Sequence, residues 1–143
     1  MKSWIKIVLA LFIIGLIATF YVYKFVYNKP HPDFENMKPD YTIAAADLYN
    51  AFKTNKADAE KKFNGKVVEI NGALSNTESA DSLVIAVFIF NKGDFGDEGI
   101  RCTFIKKYNE EAKKLQPGTI FKIKGYCTGF NDDVILEQCC FVK

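Results

Sequence analysis

The sequence predicts a mostly β domain with flanking helices, a five-stranded Greek-key barrel preceded by two short helices and an N-terminal transmembrane helix. Three observations predict it. An uncharged run of 17 residues, Ile7 to Tyr23, stands near the N-terminus. Beyond Gly65 the apolar residues recur at every second position in short runs separated by polar or glycine-containing turns, the period of strands. One short helical pattern falls between the third and fourth of five such runs. The chain of 143 residues divides into an anchor at 1–27, a proline-rich linker at 28–41, helices at 42–63 and the barrel at 64–143.

The apolar run extends to residues 4–25 when Lys6 turns its ammonium toward the interface, about 20 residues and enough to cross about 30 Å of hydrocarbon as a helix. Trp4, Tyr21, Tyr23 and Tyr27 stand at its ends, where aromatic belts form. Ala18 is followed by Thr19, Phe20 and Tyr21, large residues that suit a signal peptidase poorly. The segment therefore reads as an uncleaved anchor in preference to a cleaved signal. No cysteine precedes Cys102, so an N-terminal lipid has no attachment point. The span holds no Asp, Glu or His and reads as an anchor, not an ion path. Lys2 and Lys6 face Lys24 and Lys29, a small charge bias. A short tail before a long C-terminal domain places that domain outside the cytoplasm, periplasmic or extracellular.

Residues 28–41, NKPHPDFENMKPDY, hold three of the four prolines and predict a semi-stiff tether. His31, the only histidine, lies between two of them and reads as a linker residue. Thr42 is placed to cap a helix whose apolar stripe is Ala45, Leu48, Tyr49 and Phe52. Asn55 is placed to cap a second helix, with Asp58 at capping-box spacing and Ala59 and Phe63 on the buried side. The first strand carries Val68, Ile70 and Leu74, with Gly72 as a bend or bulge. SNTESAD at 75–81 reads as a polar turn. LVIAVFIF at 83–90 is an apolar strand on both faces, and NKGDFGDEG at 91–99 reads as a turn. IRCTFI at 100–105 alternates. Asn109 is placed to cap a helix over 110–115, which Pro117 and Gly118 end. TIFKIKGYC at 119–127, a turn at TGFNDD, and VILEQCCFV at 134–142 complete the chain.

Three strands, a helix and two strands is the order of the OB-fold, a partly open barrel that in many proteins binds oligonucleotides or oligosaccharides. An SH3-like barrel and an open α+β sheet are the alternatives. ADLYNAFKTNKADAEKKFNGKVVEINGAL at 46–74, GIRCTF at 99–104, AKKLQPG at 112–118 and FKIKGYCTGFNDDVILEQC at 121–139 resemble the bacterial OB-fold family described as tRNA_anti-like, over about residues 45–143. KGYCTG at 124–129 is the most specific part. The resemblance implies the fold and carries over no catalytic residue.

Composition restricts the function. The chain has 19 Lys and Arg against 17 Asp and Glu, but three of the bases lie in residues 1–27 with no acid. Sixteen bases then face seventeen acids in the remainder, whereas binding to a phosphate backbone favours a clear basic excess. No catalytic constellation stands out, so the chain reads as a non-enzyme, and no cofactor is expected. The cysteines, Cys102, Cys127, Cys139 and Cys140, form no CxxC, and their spacing is poor for zinc. In an oxidising compartment, pairing of Cys102 or Cys127 with Cys139 or Cys140 is open, as is a role for all four as small core residues. Opposite Cys127 the last hairpin places about residue 136.

An OB barrel binds across its second and third strands, between the first and last hairpin loops. The candidate ligand contacts are Arg101 and Thr103 on the third strand, Lys124 and Tyr126 on the fourth, and Phe130 in the last loop. Loops 75–81 and 128–133 carry Glu78, Asp81, Asp132 and Asp133, which repel phosphate. The expected function is therefore a membrane-anchored, extracytoplasmic binding or adaptor module for a protein or peptide, with single-stranded nucleic acid as the alternative partner.

Overall fold

The computed structural model describes residues 2–27 and 32–142. The chain forms two compact units, Met1–Pro32 and Asp33–Lys143. In the first, α1 (Lys2–Val22) runs into a π-helical turn, Tyr23–Tyr27. Together they make 26 helical residues of mean hydropathy 2.5, none buried, long and apolar enough to cross a membrane. Thr19 Oγ1 donates to the Gly15 carbonyl at 2.8 Å, so its hydroxyl is satisfied within the helix. Pro30 and His31 lie outside the described residues.

The second unit is built from β1 (Tyr41–Ala44), α2 (Ala45–Thr54), α3 (Lys56–Phe63), β2 (Val67–Ala73), β3 (Asn76–Ala80), β4 (Leu83–Gly93) and β5 (Gly96–Phe104), followed by a 3-10 turn (Lys106–Tyr108), α4 (Asn109–Ala112), β6 (Ile120–Asn131) and β7 (Asp133–Phe141). The strands form one seven-stranded sheet in the order β1-β2-β6-β7-β5-β4-β3. The expected five-stranded barrel is corrected to this larger sheet, whose ladder does not close. Two features account for the extra strands. Tyr41–Ala44 pairs in parallel with Val68–Asn71, so Thr42 lies in a strand and caps nothing. Its β-branched and aromatic composition fits a pleated surface better than a helix start. Helix α2 instead starts after Ala44 without a side-chain cap. Residues 76–80, expected as turn, pair antiparallel with β4 from Asn76↔Val87 to Ala80↔Leu83. The turn itself is Asp81–Ser82, with φ of 48° and 68°, the pattern of a two-residue hairpin loop.

Other expectations hold. Asn55 accepts from the Asp58 amide at 3.3 Å and donates to its carboxylate at 2.6 Å. Ala45, Leu48, Tyr49 and Phe52 are buried, as are Ala59 and Phe63. Cys127 pairs with Leu136 across the last hairpin. Gly72 does not bulge but pairs in register with Phe121. A Cβ there would lie 2.8 Å from the Ala45 Cβ, so its small size lets α2 sit close to β2. Asn109 does not cap a helix over 110–115 but begins α4, a single turn. Its side chain accepts from the Val84 amide at 3.2 Å and donates to the Ser82 carbonyl at 2.6 Å, tying α4 to the β3–β4 turn. Strands β4 and β5 also run further than the alternation implies, leaving only Asp94–Phe95 at the tip.

The largest correction concerns the tether, since residues 33–40 belong to the domain. Lys124 Nζ donates to the Glu35 carbonyl at 2.8 Å and to the Met37 carbonyl at 2.7 Å. Glu35 accepts from Lys107 at 2.7 Å and from the Tyr108 hydroxyl at 2.5 Å. Phe34 packs on Tyr126 with ring centroids 5.1 Å apart. Asp40 bonds Val67 twice: its amide donates to the Val67 carbonyl at 2.8 Å, and its carboxylate accepts from the Val67 amide at 2.9 Å. The strap is not extended throughout: residues 34–36 form a turn in which the Asn36 amide donates to the Asp33 carbonyl at 3.2 Å.

The core lies on the inward rows. Ala86, Cys102, Leu136 and Cys127 form one row across four strands, and Phe88, Ile100, Val134 and Phe130 the next. Leu48, Phe52 and Phe63 from the helices pack onto the same cluster.

Candidate binding face

The opposite side of β4, β5 and β7 is the candidate site. Strand pairing places Glu78, Ile85 and Thr103 in one outward row and Asn76, Val87, Arg101 and Ile135 in the next, followed by Ile89 opposite Gly99. Leu83 and Ile105 stand at one end. Ile85, Ile89, Ile105 and Ile135 are half-buried and Val87 is buried, so the face is aliphatic and partly wet. It exists because β4 is apolar on both faces, the inward set filling the core and the outward set left to this surface.

Arg101 sits in the middle of it but is already engaged. Its Nε donates to Asp133 Oδ2 at 2.7 Å and its Nη1 to Glu78 Oε2 at 2.6 Å. Asp133 also accepts from the Gly99 amide at 2.7 Å. The forked donor that would grip a phosphate is thus held by two carboxylates. Thr103 is half-buried on the same face. Lys124 and Tyr126 lie on another surface, under the strap of residues 33–37. Phe130 stacks on Phe52 with centroids 5.7 Å apart and an interplanar angle of 19°, and Lys56 lies 5.7 Å over its ring. Of the five sequence candidates, the structure brings together Arg101 and Thr103. Ile105 falls on the outward parity of the predicted strand 100–105, but sequence reasoning missed the aliphatic residues that β4 and β7 add around them, although the double-sided apolar character of 83–90 was the available signal.

The cysteines are free thiols, all buried. Cys102 lies opposite Leu136 and Cys139 opposite Phe104 on adjacent strands, and the Cys102 and Cys139 side chains are in hydrogen-bond contact. Burial pushes the Cys127 thiol up to about 11 and Cys139 well above its ordinary range. Such thiols stay protonated and are poor nucleophiles. No cluster of metal-ligating side chains occurs among the described residues.

Beside the face, Glu98 gathers Lys53 at 2.7 Å, the Tyr49 hydroxyl at 2.8 Å and Asn91 at 3.3 Å. These bonds, that from Lys53 first, lower its pKa from the ordinary 4.5 to about 2. A carboxylate depressed on folding stabilises the native state above its unfolded pKa, and that stabilisation is lost as pH falls through the folded value. Glu98→Gln is therefore expected to reduce the loss of thermal stability between about pH 4.5 and about pH 2, measured as melting temperature against pH. An unchanged acid limb would show that Glu98 does not contribute.

Comparison with known proteins agrees with this architecture. No curated protein matches the chain. A crystal structure from Klebsiella pneumoniae, described as a "putative nucleic acid-binding lipoprotein", is similar over 80% of this chain and 100% of its own, at 23% identity and a TM-score of 0.51. An aspartyl-tRNA synthetase structure from Leishmania major is similar over 80% of this chain but only 23% of its own, at 11% identity and a TM-score of 0.49. The first likeness speaks to the fold alone. The tRNA_anti-like family model matches residues 1–141, nearly the whole sequence, and the chain belongs to that family.

Proposed function

We propose that the chain is a membrane-anchored, non-catalytic binding module of OB type that holds a protein or peptide partner on the outer side of a membrane. Support for the barrel reading comes from residues 67–80. Leu74 donates to Thr119 at 2.9 Å and Ser75 to Val87 at 2.9 Å, so the backbone passes from the β6 ladder to the β4 ladder without leaving the sheet. Taken as one curved strand, β2 and β3 are shared by both ends of the ladder, the closure an OB barrel uses. Support for the anchor comes from the 26-residue apolar helix. The full-length chain is expected to stay in the membrane fraction through a high-salt wash, and a mature N-terminus near residue 25 would overturn the anchor.

The observation that carries the partner class is the aliphatic face with its one arginine held by Asp133 and Glu78. Nucleic-acid sites on such barrels use basic grooves and aromatic stacking platforms, and this face has neither. The full chain in detergent is expected to bind random single-stranded oligonucleotides no tighter than about 100 μM, or about −5.5 kcal/mol, by fluorescence anisotropy at low salt. A second reading, single-stranded nucleic-acid binding, is favoured by the description of the Klebsiella structure. Micromolar affinity that falls steeply between about 50 and 200 mM salt, and that Arg101→Ala abolishes, would establish it instead.

A further inference from the structure

At one end the aliphatic face opens into a cleft of about 420 Å³. Leu83, Phe104 and Ile105 form its apolar part, and Thr103, Lys106, Glu137 and Gln138 its polar part. The cleft follows from a bulge in β7. Pairing with β5 steps from Cys102↔Leu136 to Phe104↔Cys139, so two residues of β7, Glu137 and Gln138, stand against Thr103 alone. Gln138 adopts φ of 54°, in the left-handed region that a side chain rarely occupies. Bulges of this kind re-aim side chains and recur beside functional sites. Among the described residues, the side chains of Thr103, Lys106, Glu137 and Gln138 make no hydrogen bond or ion pair, which leaves donors and acceptors for another molecule.

From the cleft an aliphatic track runs through Ile85, then Val87 and Ile135, then Ile89. Successive rows on one face of a strand are about 7 Å apart, which is also the spacing of alternate side chains in an extended peptide. The track carries no aromatic ring on which a base would stack. Its surroundings are acidic, with Glu78, Asp81, Asp132, Asp133 and Glu137 against Arg101 and Lys106. Two of those carboxylates hold Arg101, and Asp81, Asp132 and Glu137 remain at exposed positions.

We propose that this face docks an extended peptide segment of a protein partner, with branched aliphatic residues at alternate positions and lysine or arginine beside them. The inference rests on the reading of the domain as a protein-binding module and names the partner's chemistry. Aliphatic side chains of the segment cover Ile85, Val87 and Ile135. Thr103 and Gln138 meet its backbone amides, and Glu137 meets a basic side chain at the mouth of the cleft.

The test is panning of a random dodecapeptide display library on the full chain in detergent, followed by anisotropy with the synthesised consensus. The expected consensus alternates valine, isoleucine or leucine with polar residues and is positively charged. Ile85→Glu is expected to weaken it about tenfold, since it places a charge under a desolvated contact. Glu137→Lys is expected to weaken it roughly fivefold, with a slower association rate. Should Ile85→Glu unfold the domain, Glu137→Lys, at an exposed position without intramolecular partners, carries the test. Enriched peptides indifferent to Glu137→Lys would overturn this inference and leave the protein-binding reading standing on another surface. Failure to enrich any peptide would overturn it as well, and micromolar oligonucleotide binding alongside that failure would sink both readings.

Discussion

Gly99→Ala is expected to destabilise the domain by about 3 kcal/mol or more, the upper end for overpacking of a filled interior. Gly99 pairs with Ile89 where the β4–β5 ladder bulges and skips Phe90. A Cβ at 99 would overlap the Phe88 carbonyl oxygen and lie 2.8 Å from the Phe88 carbonyl carbon and 3.0 Å from the Ile89 Cα. These are backbone atoms, so no side-chain rotation relieves the contact, and the two strands must separate. Separation also pulls the Gly99 amide from Asp133 and loosens the carboxylate that holds Arg101. For a domain of this size the melting temperature should fall by roughly 10 °C or more. Differential scanning calorimetry of the full chain in detergent would measure it, with Ser79→Ala on the exposed edge as control. A shift within about 3 °C would mean that the strands yield cheaply and that their close approach is not a constraint.

Much of the strand content was legible because alternation is a direct consequence of one buried face. Cys127 does lie opposite Leu136, but through a register shift between Cys127 and Gly129, since the hairpin turns about Asp132 with Asn131 opposite Asp133. Asn55 with Asp58 followed from capping geometry. The failures share a cause. Asn76–Ala80 is polar and exposed, so its strand conformation comes from the ladder with β4 and leaves no trace in side-chain pattern. Tyr41–Ala44 is four residues long and is a strand only because β2 offers it an edge. Pairing of this sort is a tertiary effect: it overrides local preference in Asn76–Ala80, and in Tyr41–Ala44 it acts on a composition already suited to a strand.

The candidate site was legible in part for similar reasons. Arg101 and Thr103 could be placed on an outward face by parity alone. That Arg101 is neutralised could not, since Glu78 and Asp133 lie 23 and 32 residues away in sequence. Lys124 and Tyr126 were assigned to the correct parity, but nothing in a proline-rich stretch announced that Phe34, Glu35 and Met37 would cover them. Outward-facing residues were equated with available residues. In a small domain, a chain segment outside the sheet can occupy such a surface as readily as a ligand can.

Phe52→Ala is expected to cost about 3–5 kcal/mol, the range for truncating a buried aromatic side chain. Phe52 is 1% exposed and joins the two helices to the sheet, with ring centroids 6.0 Å from Phe63 and 5.7 Å from Phe130. Removing it leaves a cavity where α2, α3 and the end of β6 meet, and the facing rings lose contacts that short helices cannot restore by collapsing inward. Phe130→Ala should cost less, about 1–3 kcal/mol, because that ring is half-buried at the rim. The two losses should not add, and a double-mutant cycle is expected to give a coupling of about 0.5–1.5 kcal/mol from the stacked pair. Thermal or denaturant unfolding of the four proteins measures this directly. The outcome also decides what Phe130 is for. Strong coupling to Phe52 makes it a packing residue that fixes the last hairpin against the helices. Zero coupling, with Phe130→Ala weakening ligand binding at unchanged stability, would return it to the ligand surface and extend the binding face around the end of the sheet.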